Sequence, residues 1–240
     1  MKRTTSQISN GVNQFNILIV GTGGQGQITL LQILAEAALI EGYDVKTSEL
    51  HGLSQRGGSV EVHIRFGKKI FSPLIPQGQA DLIIGLEMQE CLKACYFANP
   101  KTNFLINKYI VPIPLEKTLG EENKSSSSAT ELSRSGSEGG KGRSVPFDFA
   151  AARVSEEEIL NNLKKISKNI FLIPATEICQ EKLGTNVVAG VYLISLSSFK
   201  NLIPMKPSSL FKAIKKIIPE KYLELNLKTF NLASDSEALK

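Results

Sequence analysis

Continuous apolar runs alternate along this chain with runs whose apolar residues return every three or four positions. FNILIV, Phe15 to Val20, has the unbroken character of a parallel strand covered on both faces. Beyond it Leu30, Leu31, Leu34, Ala35, Ala38 and Leu39 recur at helical spacing, and Gly42 is placed to stop that helix. DVKTSEL predicts a second strand and HGLSQRGGS a polar loop. In SVEVHIRF, Val60, Val62, Ile64 and Phe66 alternate with Glu61, His63 and Arg65, the period-two signature of a strand with one wet face. GKK then supplies a turn and IFSPL a short return strand. An antiparallel hairpin is therefore expected where a doubly wound fold has a crossover helix.

ADLIIGLE, ending at Glu87, predicts another buried strand, MQECLKACYFA a helix, and TNFLINKYIVPI further strand material. Later, VSEEEILNNLKKIS carries Ser155 and Glu158 at capping-box spacing, with Ile159, Leu163 and Ile166 on one face. NIFLIPA predicts a strand, and TEICQEKLG a short helix begun by Thr176 and stopped by Gly184. NVVAGVYLISLSSF is apolar nearly all round, as for a helix buried in the core or against another subunit. Two helices, about 209–218 and 219–230, close the chain. The expected fold is α/β: a Rossmann-like mixed, mostly parallel sheet flanked by helices, with an inserted β-hairpin.

Composition then sets the boundaries. Residues 1–15 read as a flexible N-terminus and 16–235 as a single domain, interrupted at about 120–147 by a segment of Ser, Gly and balanced charges. That segment lacks the apolar surface needed to offset the entropy of ordering, which predicts a disordered insertion. Hydrophobic residues at 42% and charged residues at 21% suit a soluble protein. No apolar run reaches the roughly 20 residues of a membrane span, and no apolar stretch follows the first basic residues, so no membrane and a cytoplasmic setting are expected.

The net charge of +5 owes much to scattered lysines such as Lys212, Lys215 and Lys216, on the polar side of a C-terminal helix. No basic stripe interleaved with aromatics accompanies them, and no nucleic-acid partner is expected. The three cysteines, Cys91, Cys95 and Cys179, neither pair evenly nor show CxxC spacing, and read as buried thiols. With His51 and His63 the only histidines, no metal site is expected.

Candidate chemistry concentrates in two loops. VGTGGQG places Gly21, Thr22, Gly23, Gly24, Gln25 and Gly26 between a strand and a helix, with Gly21, Gly23 and Gly26 at the GxGxxG spacing. Absent side chains let the backbone approach a phosphate, and free N–H groups at a helix start favour negative charge. The same glycines equally suit a tight turn with close packing. Glu49 stands about where a dinucleotide fold needs its ribose-binding acid, but it runs straight into HGLSQRGGS, and the cofactor is left open. The second loop, Ser54, Gln55, Arg56, Gly57 and Gly58, offers a guanidinium fork beside permissive glycines. Loops at the carboxyl ends of neighbouring strands converge, so the two are expected to meet.

GTGGQG, EGYDVKTSELHGLSQRGGSVEVHIRFG and FSPLIPQGQADLIIGLE together resemble the gamma-type domain of the 2-oxoacid:ferredoxin oxidoreductases, most closely its indolepyruvate branch. The likeness continues through TNFLINKYIVPIP and NIFLIPATEICQEKLG to EKYLELNLKTF; the insertion from Gly120 to Ser144 departs from it. The resemblance implies a subunit with no catalytic residue and no cofactor of its own. Thiamine diphosphate, Mg and 4Fe-4S clusters would reside on a large alpha subunit, and electrons would leave for ferredoxin. The complex would oxidatively decarboxylate an aryl 2-oxoacid with coenzyme A. Here GTGGQG and SQRGGS would border the coenzyme A site, or instead serve only to dock the large subunit.

Overall fold

Strand β1, Gln14–Thr22, forms because Ile17, Leu18, Ile19 and Val20 are buried on both of its sides. A computed structural model describes residues 12–52, 58–111 and 154–236. The chain divides into two units, 1–110 with 155–240, and 111–154. The second lies almost wholly outside the described residues, as do residues 1–11 and the segment about 120–147 for which disorder is expected. Every helix and strand described belongs to the first unit.

After β1 come helix α1, Gln27–Ile40; strands β2, Asp44–His51, and β3, Ser59–Gly67; β4, Leu82–Gly85; and α2, Met88–Ala94, which ends in a 3-10 turn at Cys95–Phe97. Strand β5, Asn103–Asn107, α3, Glu156–Lys164, β6, Ile170–Ile173, α4, Ala175–Leu183, α5, Ala189–Phe199, α6, Pro207–Ile217, and α7, Glu220–Ser234, complete the series. The six strands form one sheet in the order β2-β3-β1-β4-β5-β6. β1 pairs parallel to β4, β4 to β5 and β5 to β6, whereas β3 runs antiparallel to both β1 and β2. The sheet is mixed and mostly parallel, as the patterning predicts.

Period-two alternation sorts the strand residues into two cores. Ile17, Ile19, Ile64, Leu82, Ile84 and Leu105 join the cluster built by α1 and α4 to α7. Leu18, Val20, Ile83, Phe104 and Ile106 are equally buried but point to the opposite face. Helix α5, apolar nearly all round, is buried within this chain from Ala189 to Ser198, so its pattern needs no other subunit.

The hairpin is built differently from expectation. SVEVHIRF pairs with DVKTSELH of β2, and IFSPL forms no strand. The reason is that side chains take up the backbone groups a ladder would use. Arg65 Nη1 donates to the carbonyls of Ser72 and Leu74, each at 2.9 Å. The Ile70 N–H donates to Asp44 Oδ2 at 2.8 Å and the Ile75 N–H to His63 Nδ1 at 3.3 Å, while Pro73 and Pro76 have no N–H to give. Among its described residues, TNFLINKYIVPI likewise yields a strand only over Asn103–Asn107.

Helix ends follow local chemistry. Ser155 Oγ accepts from the Glu158 N–H at 3.2 Å, and Gly184 closes α4 in the left-handed region with φ 73. Thr176 does not cap α4; the helix already begins at Ala175, and the threonine hydroxyl is bonded to Asn107 instead.

Candidate binding site at the glycine turn

The turn between β1 and α1 is closed by its own glutamines. The Thr22 N–H donates to Gln25 Oε1 at 2.9 Å, and Gln27 Nε2 donates to the Thr22 carbonyl at 2.7 Å. A Cβ on Gly21 would stand 2.5 Å from Gln25 Oε1 and 2.9 Å from Gln27 Nε2. Gly21 therefore makes room for the protein's own amides rather than for a ligand. The Gly23 N–H is also engaged, donating to the Gly58 carbonyl at 2.8 Å.

Gly24 and Gly26 are different. Both lie in the left-handed region, at φ 99 and φ 80, where a side chain is strained, and both are exposed. Gly26 is the cap residue of α1; no side chain caps that helix and its first turn holds no acid. The opening N–H groups of α1 are thus left for an anion or for water.

The Gly23–Gly58 bond joins the glycine turn to the described end of the second loop, although not as carboxyl ends of parallel neighbours. Because β3 lies antiparallel beside β1, Thr22 pairs with Ser59, and Gly58, the last residue of the β2–β3 connection, stands next to the glycine turn. Its ends are tied by the Gly52 N–H to the Ser59 carbonyl at 3.0 Å. Ser54, Gln55, Arg56 and Gly57 lie outside the described residues. Beyond Gly58, the Ser59 hydroxyl bonds the Glu90 carboxylate, which also holds Lys93 Nζ at 2.8 Å, and the Glu90 N–H meets Glu87 Oε2 at 2.9 Å. That network fixes the start of β3 to α2.

Glu49 falls out of the site. It lies on exposed β2, within 3.5 Å of His51, and β3 stands between it and β1. Two strand spacings, roughly 10 Å, separate it from the glycine turn, where a dinucleotide fold has its acid one strand away.

A cavity of about 240 Å³ opens at the carboxyl ends of β1, β4 and β5, lined by Gly24, Gln25, Gly26, Leu86, Asn107, Tyr109, Thr176, Asn186, Val187, Ala189 and Gly190. Open α/β sheets bind ligands at this edge. Patterning does not single out Asn107, Tyr109, Thr176 and Asn186 as site residues. Asn107 is detectable as the polar residue that ends a continuous apolar strand. It is buried, and its amide is used on both sides: Nδ2 donates to the Leu86 carbonyl at 3.1 Å and to Thr176 Oγ1 at 2.7 Å, while Oδ1 accepts from the Thr176 N–H at 3.2 Å. It locks the ends of β4 and β5 to the start of α4.

The lining therefore offers backbone, amide and hydroxyl groups. Among its described residues there is no carboxylate, lysine, histidine or cysteine. Such groups suit holding and orienting a ligand through hydrogen bonds. The thiols lie elsewhere: Cys91 and Cys179 are buried and Cys95 half-buried. Burial pushes Cys95 and Cys179 up to about 11, and burial with the nearby Glu87 carboxylate pushes Cys91 well up. Thiols held protonated are poor nucleophiles and metal ligands. Among the described residues, no three His, Cys, Asp or Glu side chains are grouped to hold a metal ion.

These features define a Rossmann-like domain whose glycine turn is flanked by the start of antiparallel β3 rather than by a second parallel strand. Residues 16–236 match the family model described as pyruvate ferredoxin/flavodoxin oxidoreductase, and the chain belongs to that family. It is 32% identical over 220 residues to the indolepyruvate oxidoreductase subunit IorB of Archaeoglobus fulgidus, an alignment spanning 91% of this chain and 93% of the relative. The gamma subunit of a keto/oxoacid ferredoxin oxidoreductase from Geobacter sulfurreducens has the same fold, with TM-score 0.57 at 17% identity, covering 92% of this chain and 96% of that one. So does part of the 2-oxoglutarate:ferredoxin oxidoreductase of Magnetococcus marinus, solved with 2-oxoglutarate, coenzyme A and succinyl-CoA bound. There the TM-score is 0.60 at 14% identity, over 95% of this chain but 31% of the other. No helix among the described residues is long and apolar enough to cross a membrane.

Proposed function

We propose that this chain is the small, non-thiamine subunit of a cytoplasmic indolepyruvate:ferredoxin oxidoreductase, and that its glycine turn helps to position coenzyme A. The complex would convert an aryl 2-oxoacid and coenzyme A to the aryl-acetyl thioester and carbon dioxide, passing two electrons to ferredoxin. The observation that carries the reading is the cavity at the uncapped start of α1, beside the junction of the two loops at Gly23 and Gly58. The Archaeoglobus relative carries the indolepyruvate name, and the Magnetococcus relative binds coenzyme A.

In this reading the chain's own residues bind and orient. Gly24, Gly26 and the first N–H groups of α1 face phosphate oxygens, and Arg56 supplies a planar donor fork. Among the described residues no His, Cys, Asp or Glu cluster suits a magnesium or iron-sulfur site, and in this reading the thiamine, magnesium and iron-sulfur sites belong to a large alpha subunit.

Co-expression with that subunit tests the assignment. A stable complex should reduce ferredoxin in the presence of indolepyruvate and coenzyme A. Arg56→Ala should raise the KM for coenzyme A by about tenfold while leaving kcat nearly intact, the mark of lost binding rather than lost chemistry. Failure to form any complex removes the proposal.

A second reading has an observation of its own. Gln25 and Gln27 fill the space beside Gly21, and the Gly23 N–H is spent on Gly58, so half of the turn is explained by packing alone. The domain would then be a scaffold for its partner. Coenzyme A affinity unchanged by Arg56→Ala would favour that role. Activity with another 2-oxoacid would keep the subunit role and change only the substrate.

A further inference from the structure

The residues that join β3 to β4, 68–80, form neither helix nor strand, yet they are pinned along their length. Besides the bonds already given from Arg65, His63 and Asp44, Asn16 Nδ2 donates to the Gln79 carbonyl at 2.6 Å and Asn99 Nδ2 to the Gly78 carbonyl at 2.8 Å. The Gly78 N–H in turn donates to the Tyr96 carbonyl at 3.2 Å. Ile70 and Ile75 of the segment are buried, whereas Phe71 is 83% and Leu74 48% exposed. The two neighbouring connections are bare as well. Leu39 and Ile40 end α1 where the chain turns toward β2, and Tyr96 stands in the turn toward β5. Five of the nine exposed large apolar side chains among the described residues thus fall on connections at one edge of the sheet, where β1, β2, β4 and β5 begin. The glycine turn is at the other edge, separated by the nine residues of β1, roughly 25 Å of strand. Single exposed apolar residues need no explanation, but a group on adjoining connections marks a contact surface.

We infer that Phe71 and Leu74 anchor this chain to the large subunit, through a partner face that is apolar with an acidic rim; the inference rests on the small-subunit role proposed above. A loop whose backbone is already fixed loses little entropy on docking, and an aromatic held that way makes a strong anchor. Charge selects this partner over a second copy of the chain. Lys68 and Lys69 stand beside Phe71, with Lys69 Nζ 4.9 Å from its ring centroid, and Lys101 leads into β5. The nearby carboxylates of Asp44 and Asp81 are turned onto the N–H groups of Ile70 and Asn16, and Asp44 also pairs with Lys46 at 3.7 Å. A two-fold contact through this edge would set the lysines beside Phe71 against the same lysines, whereas an acidic rim attracts them. Position agrees: a lasting grip here leaves the opposite edge, where the cavity opens, accessible to a ligand.

Dissociation of the reconstituted complex on dilution tests the surface. Phe71→Ala should weaken association of the two subunits by about tenfold or more. Lys69→Glu should weaken it by about threefold at low salt, and the difference should fade at high salt. Melting of the isolated Phe71→Ala chain should match that of the wild type, because the ring is exposed. Once the large subunit is saturated with that variant, kcat and the KM for coenzyme A should be those of the wild type, which damage to the ligand edge would not give. Wild-type affinity in Phe71→Ala would overturn the inference while leaving the subunit role intact. So would an isolated chain that forms a dimer which Phe71→Ala dissolves without weakening the hold on the large subunit. If the wild-type chain itself fails to bind the large subunit, the subunit role falls and this inference with it.

Discussion

Gly85 and Gly26 are indispensable for different physical reasons. A Cβ at Gly85 would lie 2.0 Å from Cys91 Sγ, in the core where β4 meets α2, so the glycine is required by space. Gly85→Ala should cost about 1–3 kcal/mol by overpacking, and adding Cys91→Ala should recover most of that loss, as read from paired denaturation curves. At Gly26 a Cβ meets nothing within 4 Å, but φ is 80, so the requirement is conformational. Gly26→Ala should cost about 1–2 kcal/mol and Gly26→Asn visibly less, because asparagine tolerates the left-handed region. Equal losses for the two Gly26 variants would count against a backbone origin. The thiols add a pH dependence. Cys179 moves from the ordinary 9.0 to about 11 through burial, so its contribution to stability is complete below pH 9 and is lost as pH rises toward 11. Denaturant midpoints measured from pH 8 to 11 should fall, and the fall should be shallower in Cys179→Ala.

Among the elements, the segment after β3 shows how side chains decide what patterning cannot. A hairpin was legible in the sequence because period two survives in SVEVHIRF; its partner was not, because pairing is a long-range choice between β2 and the residues that come after β3. Arg65 makes that choice. Buried to 8% exposure, it donates from Nε to Asn16 Oδ1 at 3.0 Å and from Nη1 to the Ser72 and Leu74 carbonyls, so the segment is bonded to one guanidinium instead of a strand. Burial lowers the Arg65 pKa, and a guanidinium keeps its charge in proteins. Arg65→Met should therefore cost about 3 kcal/mol and leave residues 68–80 open to limited proteolysis well below the global unfolding transition. Protection equal to that of the wild type would assign the segment's order to its prolines. By contrast, α5 could be read directly, since a helix without a polar face has nowhere to go but the core. The glycine turn was legible as a turn, but not the division within it. Gly21 and Gly23 serve the protein itself, and only the side-chain amides of Gln25 and Gln27 and the carbonyl of Gly58 reveal this.

For the molecule as a whole, strand order decides whether the glycine turn has a ribose-binding acid within reach. A dinucleotide site needs the acid at the end of β2 to lie one strand from the turn, so that one ligand reaches both the helix start and the ribose hydroxyls. Here β3 occupies that place, running antiparallel to β1 along its whole length from Gln14 opposite Gly67 to Thr22 opposite Ser59. The insertion moves Glu49 outward and simultaneously brings Gly58 to the turn. One topological change therefore removes the ribose acid and sets Gly58 beside the glycine turn. The sequence contained both loops, but it could not reveal this exchange, because Glu49 keeps its expected distance along the chain and loses it only in space. The expected outcome is that NADH, titrated by fluorescence into the isolated chain up to about 1 mM, shows no saturable binding, the weak end of ordinary ligand affinities. Saturable binding lost in Glu49→Ala would mean that the acid reaches the turn despite β3, and the exclusion of dinucleotides by strand order would be wrong. Binding that survives Glu49→Ala but disappears in Arg56→Ala would point instead to phosphate recognition through Arg56.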